Sequence, residues 1–463
     1  MKTLTVLFLL AIIVAPGCND PKTKPDTNNF NNLKVEICDN QVDDDGDGTI
    51  DCADLDCLGV DVCAGLNNVN NSNNHQPLFT LRGKVWGPGA DMPSTAEVDK
   101  IPVPQALVAA YSTTPPTPEP LPTGLCTPCV EIPSGIVHQF SETDGRFELK
   151  LYPNVTYWLV IQKGTFRRVT QFTAGGPDEV EDLEPPAGQL RNSMTTLPAR
   201  HNPTLGMWIP KILVIEGSYE QMDAMFQAFG FDYGVEVEEV RDTEARYIFA
   251  DMNNLRRYNL IATTCGSGAS YLTEPAIRAN LRQYVREGGK LYVDDYSYDF
   301  AEQPFPEFLT FYDGGACGDG TQPPGMVGEC NTGPSYNPRG TPGDPYLELW
   351  LNHINPGGVH DLHNAWDVIH SMQAGLQGEC EDDSDPNCID GNYFAPPKVW
   401  MNGTWSSYVN HPITVSWNFF CGKVLFTTYH THAGSSTTLL LQEKIMMYLI
   451  MEIQTCSDPI IIG

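Results

Sequence analysis

An acidic run near the N-terminus constrains this chain more than any other feature. Residues 38–63 read CDNQVDDDGDGTIDCADLDCLGVDVC, with nine Asp, four Cys and neither Lys nor Arg. So many carboxylates would repel one another without a counter-charge. Their alternating spacing therefore predicts a bound cation, and a solvated acidic linker is the alternative. The predicted ligands are Asp43, Asp45, Asp47, Thr49, Asp51 and Asp54.

The spacing of these residues matches an EF-hand-type calcium loop. Oxygen ligands alternate along such a loop, and a glycine makes the sharp turn around the ion. Gly48 holds the turn position, but Asp54 replaces the longer Glu that closes the loop. No helical pattern flanks the run, which resembles instead the thrombospondin type 3 and MopE-like Asp/Cys repeats of bacterial surface proteins. The resemblance implies metal binding. Because the run has no His or Met for copper, its oxygen ligands favour calcium.

The overall charge excludes one class of partner. The 463 residues carry a formal net charge of -31. Nucleic-acid binding needs a basic face for the phosphates, so we expect no nucleic-acid partner.

The N-terminus has the pattern of an export signal. Lys2 precedes an apolar core, residues 4–14, that is too short to span a bilayer. Residues 15–18 (APGC) resemble a bacterial lipobox, although the first two depart from its commonest form. The resemblance implies a lipid on Cys18, and Asn19 then implies the outer membrane of a Gram-negative bacterium. Plain secretion, with Cys18 removed or paired, is the alternative.

Fourteen Cys in an exported chain predict disulfides. Beyond Cys18 and the four Cys of the acidic run, local spacing leaves Cys265 without a partner. The expected pairs are Cys126–Cys129, Cys317–Cys330, Cys380–Cys388 and Cys421–Cys456.

Changes in composition predict a multidomain chain. It comprises a small calcium-binding loop module, an all-β sandwich and an α/β flavodoxin-like domain with a disulfide-rich insertion. The predicted boundaries are a lipoprotein signal peptide (1–18), a tether (19–35), the acidic module (36–64), an Asn-rich linker (65–77), the sandwich (78–175), a linker (176–208) and the α/β domain (209–457) with its insertion (313–398).

The predicted sandwich consists of short alternating strands separated by turn residues. Residues 83–85, 106–108 and 143–147 resemble the carboxypeptidase regulatory-like domain, a transthyretin-like β-sandwich. In that family the domain is a spacer or interaction module rather than a catalyst.

The second half alternates strand and helix patterns, which predicts a parallel sheet covered by helices. Residues 211–217 read as a buried strand, and residues 275–287 as an amphipathic helix that starts at Pro275 and ends before Gly288-Gly289. The stretches YNLIATTCGS, LRQYVREGGKLYVDDYS and CGKVLFTTYHTH resemble the ThuA-like branch of the class I glutamine amidotransferase-like superfamily.

The resemblance implies a nucleophilic Cys on a tight elbow after the strand at residues 291–296. No Cys or Ser lies at that elbow, and Ser297, which is near it, lacks the G-x-S-x-G frame. A His-x-Glu pair is also implied, where the chain has His430-Thr431-His432. Amidotransferase activity is therefore not expected. Cys265 follows an earlier strand, where a helix N-terminus could lower its pKa; the alternative is a buried structural Cys.

Polar residues at the carboxyl ends of the strands are the candidate site residues, because ligands bind at that edge of open α/β sheets. The candidates are Asp294, Asp295, His430, His432 and Cys265. Capping and turn formation are the alternative roles.

A second candidate is metal binding by His360 and His363, which could share a helix face. No HExxH is present, and the Cys126-x-x-Cys129 motif has no second CxxC that would complete a zinc site, so the sequence does not favour zinc.

These features predict a non-enzymatic envelope lipoprotein that serves binding, adhesion or display, with a surface glycan or protein as ligand. The alternatives are a hydrolase or carbohydrate-modifying enzyme that uses the strand-end residues, and a calcium-dependent structural spacer.

Overall fold

The computed structural model describes residues 78–126, 132–186, 188–312, 324–328, 335–373, 378–380, 388, 391–431 and 438–455. Cys18, the acidic run with its predicted calcium ligands, and His432 lie outside the described residues. No helix within the described ranges is long and apolar enough to cross a membrane.

The first part of the described chain is built from β-strands. The strands are β1 (Phe79–Lys84), β2 (Leu107–Tyr111), β3 (Val137–Phe140), β4 (Arg146–Leu151), β5 (Thr156–Lys163), β6 (Phe166–Thr173), β7 (Val180–Asp182) and β8 (Met207–Trp208). Five of them form an antiparallel sheet in the order β3-β2-β5-β6-β8, and three form a smaller sheet in the order β4-β1-β7.

The two sheets share a hydrophobic core because alternate residues of their strands are apolar. Phe79 and Leu81 of β1 and Leu159 and Ile161 of β5 all belong to this core. Residues 176–208, which the sequence predicts as a linker, contribute β7, paired with β1, and β8, paired with β6. These residues are therefore part of the sheets, which their acidic and Pro-rich composition conceals.

The second part begins with alternating strands and helices. Its elements are β9 (Ile212–Ile215), α1 (Met222–Ala228), β10 (Val237–Val240), α2 (Asp242–Phe249), α3 (Met252–Leu255), β11 (Leu260–Thr263), α4 (Pro275–Arg286), β12 (Lys290–Asp294) and α5 (Asp299–Glu302). Helix α4 has Pro275 in its first turn and buries Ile277, Leu281 and Val285 on one face, as its sequence predicts.

The remaining elements complete the second part. They are β13 (Leu309–Phe311), β14 (Arg339–Pro342), α6 (Pro345–Ile354), β15 (His360–Asp361), β16 (Ile369–Met372), β17 (Gly378–Glu379), β18 (Asn392–Tyr393), β19 (Lys398–Trp405), β20 (Tyr408–Phe419), β21 (Gly422–Thr427) and α7 (Leu441–Ile453).

A nine-stranded mixed sheet organises this part, in the order β10-β9-β11-β12-β21-β20-β19-β14-β15. The first five strands are parallel, and the strands from β21 to β15 pair antiparallel. Strand β9 is buried on both faces: Ile212 and Val214 lie in one core, and Leu213 and Ile215 in another. This is expected of a parallel strand with both faces covered.

The predicted insertion, residues 313–398, is not a separate unit. Strands β14 and β15 extend the main sheet. Helix α6 buries Leu347, Trp350 and Leu351, whose spacing places them on one helix face. The Gly, Pro and Asp content of the surrounding residues hides this apolar stripe in the sequence.

The first and second parts pack on each other through polar as well as apolar contacts. The indole of Trp350 donates a hydrogen bond to the carbonyl of Pro102 at 2.8 Å. Lys163 forms an ion pair with Glu452 of α7 at 2.7 Å, and both side chains are largely buried. Gly164 has φ +56°, and a Cβ there would lie 2.6 Å from the backbone of Gln454. The β5–β6 turn thus needs glycine to approach the end of α7.

Two disulfides occur among the described residues. Cys380 bonds Cys388, as predicted, with Cα atoms 5.7 Å apart. The predicted pairs Cys126–Cys129 and Cys421–Cys456 are wrong, because Cys126 bonds Cys421 across 295 residues. Folding places the loop that ends at Cys126 against the β20–β21 turn, which local spacing cannot reveal. The predicted Cys317–Cys330 pair lies outside the described residues.

Candidate functional site

The candidate site lies where the central parallel strands end. Cys265 follows β11, Asp295 follows β12, His430 follows β21 and Glu220 follows β9. Because parallel strands bring their carboxyl ends to one edge of the sheet, residues distant in sequence meet here.

Three of the predicted residues form a hydrogen-bonded group. His430 donates from Nδ1 to Asp295 Oδ2 at 2.7 Å. The Cys265 thiol donates to the same oxygen at 3.6 Å. The three side chains are almost entirely enclosed, since Cys265, Asp295 and His430 are 1%, 0% and 3% exposed. We call these residues the strand-end triad.

Asp295 occupies a special backbone position. Its φ is +41°, in the left-handed region that residues other than glycine rarely adopt. Its second oxygen, Oδ1, accepts hydrogen bonds from the backbone N–H groups of Trp366 at 2.8 Å and Asp367 at 3.1 Å. With His430 and Cys265 this makes four donors, so the Asp295 carboxylate is the centre of the site.

Glu220 joins the strand ends from another side. Its carboxylate accepts from the backbone N–H of Cys265 at 2.9 Å and from the backbone and hydroxyl of Thr431 at 3.0 Å and 2.9 Å. Asp294 is also 0% exposed. Neither of its oxygens has a hydrogen-bond donor among the residues that the structure describes.

Burial dominates the protonation of these groups. It raises the pKa of Cys265 far above its ordinary value, and the carboxylates of Asp295, Asp294 and Glu220 raise it further. Burial works against the charged form of His430, but the hydrogen bond and charge of Asp295 raise its pKa overall. Burial also raises the pKa of Asp294, with Glu220 as the next cause. Without a bound cation, Cys265 is therefore a neutral thiol rather than an activated thiolate.

Three aromatic rings lie beside the buried group. Tyr219 stacks on Trp366 with ring centroids 5.9 Å apart, and Tyr296 contacts both rings edge-on at 6.4 Å and 6.1 Å. Tyr219 is 50% exposed, and the other two are half-buried. We call these three rings the aromatic platform. It is the solvent-facing part of the site.

The structure places the sequence candidates as follows. It brings Cys265, Asp295 and His430 together, sets Asp294 beside them, and leaves His432 outside the described residues. Cys265 precedes a turn with Gly266 at φ +79° rather than a helix N-terminus, so the feature expected to lower its pKa is missing. Sequence reasoning missed Glu220, although it too follows a buried strand. It also missed Trp366, whose contact with Asp295 is made by the backbone.

The second metal candidate is not supported by the local structure. His360 lies in strand β15, and His363 lies in the segment without regular secondary structure that follows it. Residues three apart share a face only in a helix, so the geometry on which that prediction depended is absent.

Comparisons with known proteins leave the family open. No protein-family model and no curated protein matches the chain. A cytoplasmic protein from Salmonella typhimurium aligns at 11% identity and a TM-score of 0.32, covering 52% of this chain and 98% of that one. ThuA-like proteins from Bacteroides uniformis and Parabacteroides merdae align at 10% and 9% identity, with TM-scores of 0.33 and 0.29. These two alignments cover 53% and 54% of this chain and 92% and 91% of those. Scores of this size do not establish a shared fold.

Proposed function

We propose that this chain is a non-enzymatic binding protein of the cell envelope. The supporting observation is the enclosure of the strand-end triad: Cys265, Asp295 and His430 are at most 3% exposed and hydrogen-bond one another. A nucleophile must reach its substrate and carry a lowered pKa or an adjacent base. Here the thiol has a raised pKa, and it donates its hydrogen bond to the Asp295 carboxylate and not to the imidazole of His430.

The envelope assignment comes from the N-terminus and the acidic run. In this proposal a lipid on Cys18 anchors the chain in the outer membrane, and calcium orders the run from Asp43 to Asp54. The strands from β1 to β8 then form a carboxypeptidase regulatory-like sandwich. The remainder is a ThuA-like domain of the class I glutamine amidotransferase-like superfamily that has lost its nucleophile.

We further propose that the ligand is a glycan bound at the aromatic platform. Pyranose rings carry apolar C–H faces that pack against aromatic rings, and ligand sites combine such surfaces with a few polar groups. Tyr219 offers a ring that is half exposed, and Tyr219 and Tyr296 each carry a phenolic hydroxyl for hydrogen bonding. The platform lies at the edge of the sheet where α/β proteins bind ligands.

Glycan binding can be tested with the full chain on an array of bacterial envelope oligosaccharides. Replacing a central aromatic anchor of a binding site typically weakens binding about tenfold or more. We expect that loss for Tyr219→Ala, and also for Trp366→Ala. Tyr247→Ala is the matched control, because Tyr247 is 69% exposed on α2 and outside the platform. Absence of binding by the native chain, or equal binding by all variants, would contradict the proposal.

One observation favours the enzyme alternative, a hydrolase or carbohydrate-modifying enzyme. Asp295 combines a left-handed φ with a histidine partner, and strained residues of this kind cluster at active sites. Turnover of a bound glycan that Asp295→Asn abolishes would favour this alternative. If the chain bound calcium and no other ligand, the spacer alternative would replace both.

A further inference from the structure

We infer that Cys265, Asp295 and His430 form a binding site for a divalent cation of the zinc class. Their sulfur, oxygen and nitrogen donor atoms all lie within 4.8 Å of one another, and all three side chains are buried. The site uses none of the residues of the acidic run, and it does not depend on glycan binding at the platform.

The spacing of two donors already suits a tetrahedral ion. With zinc–sulfur and zinc–oxygen bonds of about 2.3 Å and 2.0 Å, tetrahedral ligands lie about 3.5 Å apart. Cys265 Sγ and Asp295 Oδ2 are 3.6 Å apart. The Asp295–His430 contact is 2.7 Å, whereas two ligands of one ion need about 3.3 Å. Cation binding would therefore replace the shared proton and open this contact by roughly 0.6 Å.

Asp294 provides an independent observation that points to a cation. It is 0% exposed, and neither oxygen has a hydrogen-bond donor within the described part of the chain. Its polar neighbours include the acidic Glu220 and the hydroxyl of Tyr292, and a buried carboxylate without a cationic partner is costly. Asp294 is also close enough to Cys265 and Glu220 to interact electrostatically with both.

The charge balance supports the same inference. Glu220, Asp294 and Asp295 are all buried. Across the described ranges, no Lys or Arg forms an ion pair with any of them, and His430 is their one cationic partner. A divalent ion would supply the missing positive charge.

The free thiol is a further reason to expect a metal. The other described cysteines, Cys126, Cys380, Cys388 and Cys421, are in disulfides, whereas Cys265 is not. Exported proteins form disulfides readily, and a thiol that ligates a metal has a reason to remain unpaired. Sulfur and imidazole donors favour zinc over calcium or magnesium. The proposed role is structural: the ion would tie the ends of β11, β12 and β21 together beneath the platform.

Metal analysis of the full chain, purified without chelator, tests the inference. We expect about one zinc ion per chain, bound through a thiolate. Replacing zinc by cobalt(II) should then produce the intense sulfur-to-cobalt absorption of a thiolate ligand. Cys265→Ser should lose that absorption, and His430→Gln should lose most of the zinc. His138→Gln is the matched control, because His138 is exposed on β3.

Two results would overturn the site. One is native protein that takes up neither zinc nor thiolate-bound cobalt when either metal is supplied. The other is Cys265→Ser protein that keeps both the zinc and the cobalt–sulfur absorption, because the thiolate would then come from another cysteine. The native-protein measurements need no variant, so a folding defect in a variant cannot obscure the outcome. Calcium bound by the acidic run would raise the measured calcium content and would change neither the zinc content nor the cobalt–sulfur absorption.

Discussion

Strand β12 has a buried basic side chain at its start and a buried acidic side chain directly after its end, and the two side chains differ in their hydrogen-bond partners. At its start, Lys290 is 2% exposed and its amine donates to the carbonyl of Gly288 at 2.6 Å. At its end, Asp295 accepts four hydrogen bonds, from two backbone amides, an imidazole and a thiol. Within the described part of the chain, the amine has one hydrogen-bond acceptor, whereas the Asp295 carboxylate accepts from four donors. Only the end of β12 therefore has several donors that converge on one buried side chain, as a binding site requires.

The pKa shifts at the two ends of β12 also have opposite directions. Burial, aided by Lys423, lowers the pKa of Lys290 from 10.5 to about 7, so the folded state favours the neutral amine. At the other end burial raises the pKa of Asp294, so the folded state favours the neutral acid. Deprotonation removes the charge of Lys290 and protonation removes that of Asp294, whereas the charge of Asp295 is balanced by His430 and, by our inference, by a cation.

The largest effect is expected from Asp295→Ala. The substitution removes the acceptor for four buried donors, and breaking a buried ion pair typically costs about 3–5 kcal/mol. Urea unfolding followed by tryptophan fluorescence measures this loss. Asp361→Ala is the control, since Asp361 pairs with Arg339 at 3.7 Å on the exposed surface and should cost less than about 1 kcal/mol. Equal losses in unfolding free energy for the two variants would show that the hydrogen bonds of Asp295 stabilise the fold no more than an exposed ion pair does.

Lys290→Met should act in the opposite direction. A buried amine without an acidic partner destabilises the fold, so an apolar side chain of similar length should raise the free energy of unfolding by roughly 1–3 kcal/mol at pH 6. Because the folded pKa lies below the unfolded one, the unfolded chain binds more protons between about pH 7 and 10.5. The native protein therefore gains stability over that window, and the advantage of Met shrinks.

Unfolding experiments on both proteins at pH 6 and pH 10 check this prediction. A stability difference that is the same at both values would mean that the Lys290 amine stays charged in the folded state. A loss of stability at pH 6 would mean that the start of β12 depends on this amine.

Sequence reasoning located the triad because its members follow buried strands, and parallel topology alone brings such residues to one edge. Cys265, Asp295 and His430 could be found in this way. Trp366 could not, because it binds Asp295 through its backbone N–H, which any residue supplies. The same limit applies to the Cys126–Cys421 disulfide, which joins residues that only the folded chain brings together.

Composition misled the prediction at two stretches. Residues 176–208 and 313–398 contain the Pro, Gly and Asp of linkers and loops, yet they contribute strands to all five sheets of the described residues. Short edge strands bury few side chains. Their apolar pattern is therefore too brief to stand out against the turn residues around them.

Alkylation of Cys265 in the native full chain tests directly whether the strand end is an enclosed structural site and not a catalytic one. The labelled peptide is identified by mass spectrometry, with native and denatured, chelator-treated samples compared. We expect no label at Cys265 in the native protein and full label after denaturation, because the thiol is 1% exposed and its pKa is raised. Rapid labelling of native Cys265 at neutral pH would reveal an accessible, activated thiolate and would contradict an enclosed structural role for the strand end.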